Sequence, residues 1–553
     1  SLGFPQIDLG NRSLNRIFTP LKLKVIVETM KRLLTLLLAC VIGSQWANAT
    51  GAERPKLVVG IIVDQMRWDY LERYRDRYCE GGFRRMMDEG YNCTRCMINY
   101  IPAVTAVGHT STYTGSVPAF HGIVSNGFLL NGKRISAPYD EQFETVGSES
   151  KAGCRSPRNM MATTVGDELR MATNFRSKVI GVAIKDRASI LPAGHSANAA
   201  YWLDDSNDRF ITSSYYMEKL PKWAENFNKH NHAKKYMKRD WPKKMMYKEK
   251  TYVQSHARDE RIEIKVGEDI RTTPWGATLT FDMARAAIEG EKLGQDDFTD
   301  LLCVSISSTD AIAHRTGCNS PLMEDAFLWL DRDLENFFNF LDEKVGKGQW
   351  TAFLTADHAG NHNLQWRMDN KLPAQVWEST STVNELNQII SAKTGITDKV
   401  VMYIDCFKVM LNETLMRERG LSRNMVADIV VDYLRTQPFV LYAFDVERMP
   451  DNIPEPIRTM TRNGYYPGRT GQIQIVPIGG VMEAFSYGEG KNLRGASHML
   501  WGPDDTHIPL VFLGKGIPHG ETHHTVHITD IAATITALLH IQQPSACVGE
   551  SIF

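Results

Sequence analysis

Neither sign of charge is in excess in this sequence. Its 553 residues carry 63 Lys and Arg against 64 Asp and Glu, a formal net charge of −1. Without a basic or acidic surplus the chain lacks the footprint of a protein that binds nucleic acid or an anionic membrane surface. Long apolar runs are missing too: Leu33–Ile42 falls short of the ~20 residues that a membrane span requires. No internal repeat or low-complexity tract stands out, which sets aside solenoid and fibrous architectures. Cysteine is sparse, at nine residues, and Cys93-x-x-Cys96 has no second pair to complete a zinc knuckle. Structural cysteines or a disulfide are the expectation there. What remains is 43% apolar and 23% charged, ordinary for a globular protein with a large core.

The N-terminal stretch reads as an export signal rather than as fold. Met30 is followed by Lys31 and Arg32, then by the apolar run, then by Ala47-Asn48-Ala49, a small-x-small site. A signal peptide over residues 30–49, cut near Ala49, is expected, with residues 1–29 as upstream sequence. The expected location is periplasmic or secreted. Leu37-Leu38-Ala39-Cys40 offers a lipoprotein site as the alternative, against which the apolar run continues past Cys40. Residues 50–553 retain eight cysteines in a compartment that permits disulfides.

Several β-branched apolar runs each end on a polar residue. Leu57–Val63 ends at Asp64 and Val179–Ile184 at Lys185; Leu301–Ile306 leads to Asp310, Thr351–Thr355 to Asp357, and Ile508–Leu513 is another such run. Near-continuous apolar strands suit a buried parallel sheet. Helical spacing lies between them, as over Pro321–Val345. The expected fold is α/β, a three-layer α/β/α sandwich with a central, mostly parallel sheet. Ligands gather beyond the carboxyl ends of such strands, where these polar residues stand. Residues 204–271 break the pattern. Within 219–250, 11 Lys and Arg face three Asp and Glu, among Trp223, Trp241 and tyrosines. An inserted cap is expected, its aromatics packed on the core and its lysines solvated.

Asp310 and His314 are four apart, so on a helix they share a face and can reach one ion. Asp357-His358 directly follows a strand. An Asp-x-x-x-His pair alone is more often surface chemistry than a site; two such pairs at strand ends, with Asp64 at a third, reverse those odds. Carboxylate with imidazole suits zinc. Thr105, in Ile101-Pro102-Ala103-Val104-Thr105-Ala106-Val107-Gly108-His109, sits where a loop feeds a helix. A helix N-terminus favours a phosphoryl group, and a metal can activate a threonine hydroxyl.

These motifs together resemble the alkaline phosphatase superfamily, and within it the monomeric bacterial alkaline phosphatases with a threonine nucleophile. The resemblance runs from about Pro55 to Ile552. It is carried by Asp64 placed 41 residues before Thr105, by His121-Gly122-Ile123-Val124-Ser125-Asn126, by Val179–Ser189 with Lys185 and Arg187, and by Thr273-Pro274-Trp275-Gly276. Ser307-Ser308-Thr309-Asp310 and Thr355-Ala356-Asp357-His358 complete it. It implies two Zn²⁺ ions per chain, one held by Asp64, Thr105, Asp357 and His358, the other by Asp310, His314 and a late histidine. His498 is the choice for the last and His507 the fallback, since the family's Thr-His-Gly is here Ala496-Ser497-His498. The family's Asp-His-Gly is likewise Asp357-His358-Ala359-Gly360. The resemblance also implies a phosphothreonine intermediate on Thr105, with Asn126, Lys185 and Arg187 holding the phosphoryl oxygens. Two cations beside the site favour phosphate monoesters over diesters, because the monoester carries the extra charge. Small phosphate monoesters are the expected partners of a monomeric enzyme. The rivals are a phosphodiesterase or nucleotide pyrophosphatase, and a non-catalytic binding protein. His109, His195 and His362 are expected to have structural roles, as is the cluster His519, His523, His524 and His527.

Overall fold

The computed structural model describes residues 31, 54–241, 244–248, 261–265, 267, 269–483 and 494–553, the segments 244–248 and 261–265 by backbone alone. The expected signal peptide lies outside the described residues. Residues 54–553 form one compact unit.

Its centre is a ten-stranded sheet. In chain order the strands are β1 (Leu57–Val63), β2 (Tyr91–Cys93), β3 (Thr145–Val146), β4 (Val179–Ala183), β5 (Ala199–Asp204), β6 (Arg209–Ser213), β7 (Asp300–Ile306), β8 (Trp350–Thr355), β9 (Leu510–Gly514) and β10 (Gly520–Thr522). They lie side by side as β10-β2-β9-β8-β1-β7-β4-β5-β6-β3. The five inner strands, β8-β1-β7-β4-β5, are all parallel. Every residue of β1, β7 and β8 is buried, so both sheet faces are covered and the layers number three. The expected mostly parallel sheet carries antiparallel strands at its flanks. There β9 runs antiparallel to β8 and β6 antiparallel to β5, which makes the sheet mixed. Only four residues join β5 to β6, and a connection that short can only reverse the chain.

The helices include α1 (Thr105–Thr114), α2 (Asp186–Ala193), α3 (Trp275–Glu291), α4 (Ser308–Thr316) and α5 (Pro321–Leu341). All ten residues of α1 are buried. It lies so close to the sheet that a Cβ on Gly60 of β1 would meet the Tyr113 hydroxyl at 2.0 Å.

The segment 204–271 expected as a cap begins on the central sheet, since residues 209–213 are β6. Two short helices, Lys222–Lys229 and His232–Tyr236, then lie along α3. Trp223 Nε1 donates to Glu291 (2.8 Å), Tyr236 to Asp282, and Trp241 Nε1 to Asp325 (2.8 Å). Lys219, Lys222, Lys229, Lys234, Lys235 and Lys238 face solvent. Aromatics anchor this stretch while its charges stay hydrated.

The sequence gives no hint of a larger elaboration. Strands Val401–Asp405, Lys408–Leu411, Ile473–Pro477 and Val440–Asp445 form a second sheet, antiparallel throughout. Helices Ser379–Thr394 and Arg423–Arg435 accompany it.

Candidate metal centre and nucleophile loop

Strand register assembles the site. Val63 of β1 pairs with Ile306 of β7, Ile62 with Thr355 of β8, and Ser305 with Ala183 of β4. Asp64, Asp310, Asp357 and Lys185 thus all fall just past the carboxyl ends of four adjacent parallel strands. Thr309 Oγ1 donates to the Asp64 carbonyl (2.6 Å), tying the first turn of α4 to the end of β1. Gly108 of α1 lies against the backbone of Asp357, where a Cβ would come within 2.0 Å of the Asp357 carbonyl oxygen. A glycine is therefore what lets the Thr105 helix reach this carboxylate.

The donors converge. Asp310, His314 and His498 bring ligand atoms within 4.8 Å of one another, as do Asp64, Asp310 and His358. His314 Nε2 is 3.0 Å from Asp310 Oδ1, and His498 Nε2 is 3.9 Å from the same oxygen. His358 Nε2 lies 3.5 Å from Asp64 Oδ1 and 3.4 Å from Asp357 Oδ2. The rings of His358 and His498 stack at 3.6 Å. All three imidazoles present Nε2 to the carboxylates for one reason. Each Nδ1–H donates to a backbone carbonyl: His314 to Ala496 (2.8 Å), His358 to Ala359 (3.0 Å) and His498 to Ala103 (2.8 Å). A carbonyl only accepts, so this fixes the tautomer and frees Nε2 to ligate.

Burial drives the Asp64 carboxyl well up, and repulsion from Asp310 and Asp357 adds to the rise. Burial acts the same way on Asp310, but His314 and Lys185 outweigh it and hold Asp310 well below the usual range. Asp357 is also held low, His358 and the His109 contact overcoming burial. Burial pushes His358 and His498 down, toward the neutral form. Burial lowers His314, but the neighbouring Asp310 outweighs it and raises that imidazole. The ionised Asp310 and Asp357 beside the neutral His358 and His498 are donors that a divalent metal takes. Asp64 Oδ1, Asp310 Oδ1, Asp357 Oδ2 and His358 Nε2 are buried without a hydrogen-bond partner. Such orphans are costly unless something positive sits among them, so the residues present fit a metal.

Lys185 Nζ donates to both Asp64 Oδ2 and Asp310 Oδ2, at 2.6 Å each. Arg187 starts the first turn of α2, two residues further on. Thr105 is the first residue of α1, and the Asn126 side chain accepts from the N–H of Ala106 (2.9 Å), placing Asn126 at the same helix N-terminus. His109 lies beneath. Its Nδ1–H donates to the Thr105 carbonyl (2.8 Å) and stands 3.4 Å from Asp357 Oδ2, while Nε2 accepts from Ser305 (2.8 Å).

His507 lies elsewhere, stacked on Trp68 at 4.8 Å and donating to the Thr94 carbonyl (3.0 Å). His362 stacks on Trp366 (4.0 Å), and His195 contacts the Ala162 carbonyl (3.2 Å). The His519–His527 cluster enters no metal-capable group among the described residues. Cys93 and Cys96 are free, buried thiols. One contact has no signal in the sequence: Arg155 Nε donates to Asp186 Oδ2 (2.7 Å), between Lys185 and Arg187.

A mixed α/β sheet that gathers carboxylates and imidazoles at its strand ends, over a buried helix N-terminus, defines a metal-capable enzyme class. Comparison with known proteins narrows it. The family model described as type I phosphodiesterase / nucleotide pyrophosphatase matches residues 58–498, and the chain belongs to this family. Alkaline phosphatase PafA of Elizabethkingia meningoseptica is 42% identical over 541 residues, covering 94% of this chain and 97% of that protein. Alkaline phosphatase PhoV of Synechococcus elongatus is 40% identical over 523 residues, covering 90% and 92%. A Myroides odoratus protein named calcium-transporting ATPase is 41% identical over 525 residues, covering 90% and 94%. The crystal structure of PafA superposes with a TM-score of 0.84, over 90% of this chain and 98% of that one.

Proposed function

We propose that this chain is a zinc-dependent alkaline phosphatase that hydrolyses phosphate monoesters through a phosphothreonine formed on Thr105. The reading is carried by the convergence of unpartnered Asp64, Asp310, Asp357 and His358 atoms beside the N-terminus that presents Thr105, with Lys185 at their centre. The identity to PafA and PhoV, nearly end to end, supports it. Asp64, Thr105, Asp357 and His358 would hold one Zn²⁺ and Asp310, His314 and His498 the other. Bound there, the ions would supply Lewis acidity to the attacking and leaving oxygens.

The chain's own groups do the rest. The first-turn N–H groups of α1 other than that of Ala106, which Asn126 takes, receive the phosphoryl oxygens together with the positive dipole end. Asn126, Lys185 and Arg187 add donors where negative charge develops. The Thr105 hydroxyl attacks phosphorus, the ester oxygen departs, and water hydrolyses the phosphothreonine. Export across a membrane and a monomeric state belong to the same proposal, the former resting on the Met30–Ala49 stretch. The name of the Myroides odoratus relative suggests transport. Among the described residues no helix is long and apolar enough to cross a membrane.

The family description favours one other reading, phosphodiester hydrolysis. The purified metal-loaded protein assayed on an aryl phosphate and on its methyl aryl diester separates the two. A higher kcat/KM for the monoester is expected, and preference for the diester overturns the proposal.

A further inference from the structure

The second sheet approaches the site through a tight turn. Strands Val401–Asp405 and Lys408–Leu411 are joined by Cys406 and Phe407, both at positive φ (49° and 59°), the two-residue turn that matches strand twist. From this turn Lys408 Nζ donates to the carbonyls of Ile101 (2.8 Å) and Gly464 (2.9 Å). Asp405 accepts from Ser125 Oγ (3.4 Å) and pairs with Arg134 (3.0 Å). Ile101 precedes Thr105 by four residues, and Ser125 adjoins Asn126. The same unit grips the loop twice more: the Ile101 N–H donates to the Met460 carbonyl (3.1 Å), and Asn463 Nδ2 to the Asn99 carbonyl (2.8 Å). Gly464 packs so tightly here that a Cβ on it would lie 1.7 Å from the Ile101 oxygen.

Lys408 is 5% exposed and makes no ion pair among the described residues. Burial pushes its ammonium down to about 7. Burying such a group is expensive, and an aliphatic side chain would fill the space without that cost. Packing therefore does not account for a lysine here. The two backbone carbonyls to which its ammonium donates do.

We propose that Lys408 is a positioning residue for the reaction, fixing through the Ile101 and Gly464 carbonyls the loop that aims the Thr105 hydroxyl. The proposal rests on the reading of Thr105 as nucleophile. Misplacement of a reacting group by ~1 Å costs up to about 10²-fold in rate.

The test uses the metal-loaded full chain. Lys408→Met, of similar volume, is expected to lower kcat on an aryl phosphate about 10- to 100-fold. KM should stay within about threefold and bound metal at the wild-type level. Lys408→Gln, whose amide restores donors, should recover part of the loss. A Lys408→Met kcat within about threefold of wild type overturns the proposal. So does a loss that tracks lost metal, or a Lys408→Gln no better than Lys408→Met. If Lys408→Met does not accumulate as folded protein, Lys408→Leu, which also lacks a donor, takes its place, a kcat within about threefold of wild type overturning the role. Thr105→Ala run in parallel keeps the two readings apart. Activity there sinks the nucleophile assignment, whereas an inactive Thr105→Ala beside an unimpaired Lys408→Met sinks only the role of Lys408.

Discussion

Lys185→Ala removes one positive charge from the point where Asp64 and Asp310 converge, its Nζ lying 2.6 Å from each. A phosphate monoester dianion carries one more negative charge than the corresponding diester. Each unit charge about 4 Å from the ammonium interacts by roughly 4 kcal/mol at an effective dielectric near 20. Water entering the space left by the side chain screens part of this, so the monoester should lose about 1.5–3 kcal/mol more than the diester. That is roughly a 10- to 100-fold selective fall in kcat/KM. The assay compares an aryl phosphate with its methyl ester on wild type and variant, with metal content measured on both. Metal content is not expected to fall, because the ammonium competes with a cation for the same two carboxylates. Equal losses on the two substrates at unchanged metal content would refute the charge argument and return the diester reading to contention.

Thr105→Ala should abolish turnover while leaving most of the metal bound, since the Asp and His donors remain; near-normal activity contradicts the assignment. His498→Ala should weaken one metal site by about 10²-fold. This is roughly a quarter of the ~10–16 kcal/mol that a four-ligand zinc contributes. His507→Ala, whose ring stacks on Trp68, should leave metal affinity alone; the opposite pattern in a metal titration would exchange the two. Lys408 also predicts a pH dependence. Its folded pKa is depressed from the ordinary 10.5 to about 7, so between those values the unfolded chain holds a proton the folded one lacks, and stability rises with pH. The whole span amounts to up to about 5 kcal/mol. Glu483, raised by burial to about 8, opposes this at the lower end. The denaturant midpoint of wild type should rise relative to that of Lys408→Met between pH 7 and 10; a constant difference would argue against a depressed lysine.

The legible part of the fold owes its clarity to the geometry of parallel strands. A buried parallel strand is apolar along its whole length, so Leu57–Val63, Leu301–Ile306 and Thr351–Thr355 stand out in the sequence. In-register neighbours then bring Asp64, Asp310 and Asp357 to one edge. The basic stretch is readable over 219–241 because aromatic anchors and solvated lysines differ in kind. Direction is not readable: Leu510–Gly514 is apolar whichever way it runs, and it runs antiparallel. Nor is the second sheet. Lys408 lies 307 positions from the Ile101 carbonyl it holds, and a lone lysine at the head of a short apolar run reads as a surface charge. Arg155 is silent for the same reason, because its partner Asp186 is set by tertiary contact. His498 stands in a loop and His507 opens the short strand His507–Ile508, but in the sequence both follow polar residues. Only the Ala103 carbonyl on one side and the Trp68 ring on the other tell them apart.

That Ala103 carbonyl links features that look separate. It lies two residues before Thr105 and two after Ile101, so the loop that carries the nucleophile also orients His498 through its Nδ1–H. Lys408 holds the near end of the same four-residue stretch, and the N-terminal turn of α1 holds the far end. A shift at Ile101 therefore has a route to both the hydroxyl and one imidazole of the proposed second zinc site. The backbone is stiff here, and Gly464 leaves it no room on one side. If the Lys408 contact acts only on the hydroxyl, kcat falls with metal affinity intact. If the shift reaches the His498 ring, the metal titration changes as well. The first pattern is the expected one, because the His498 ring is also held in a stack by His358, whose own anchor at Ala359 belongs to a different loop.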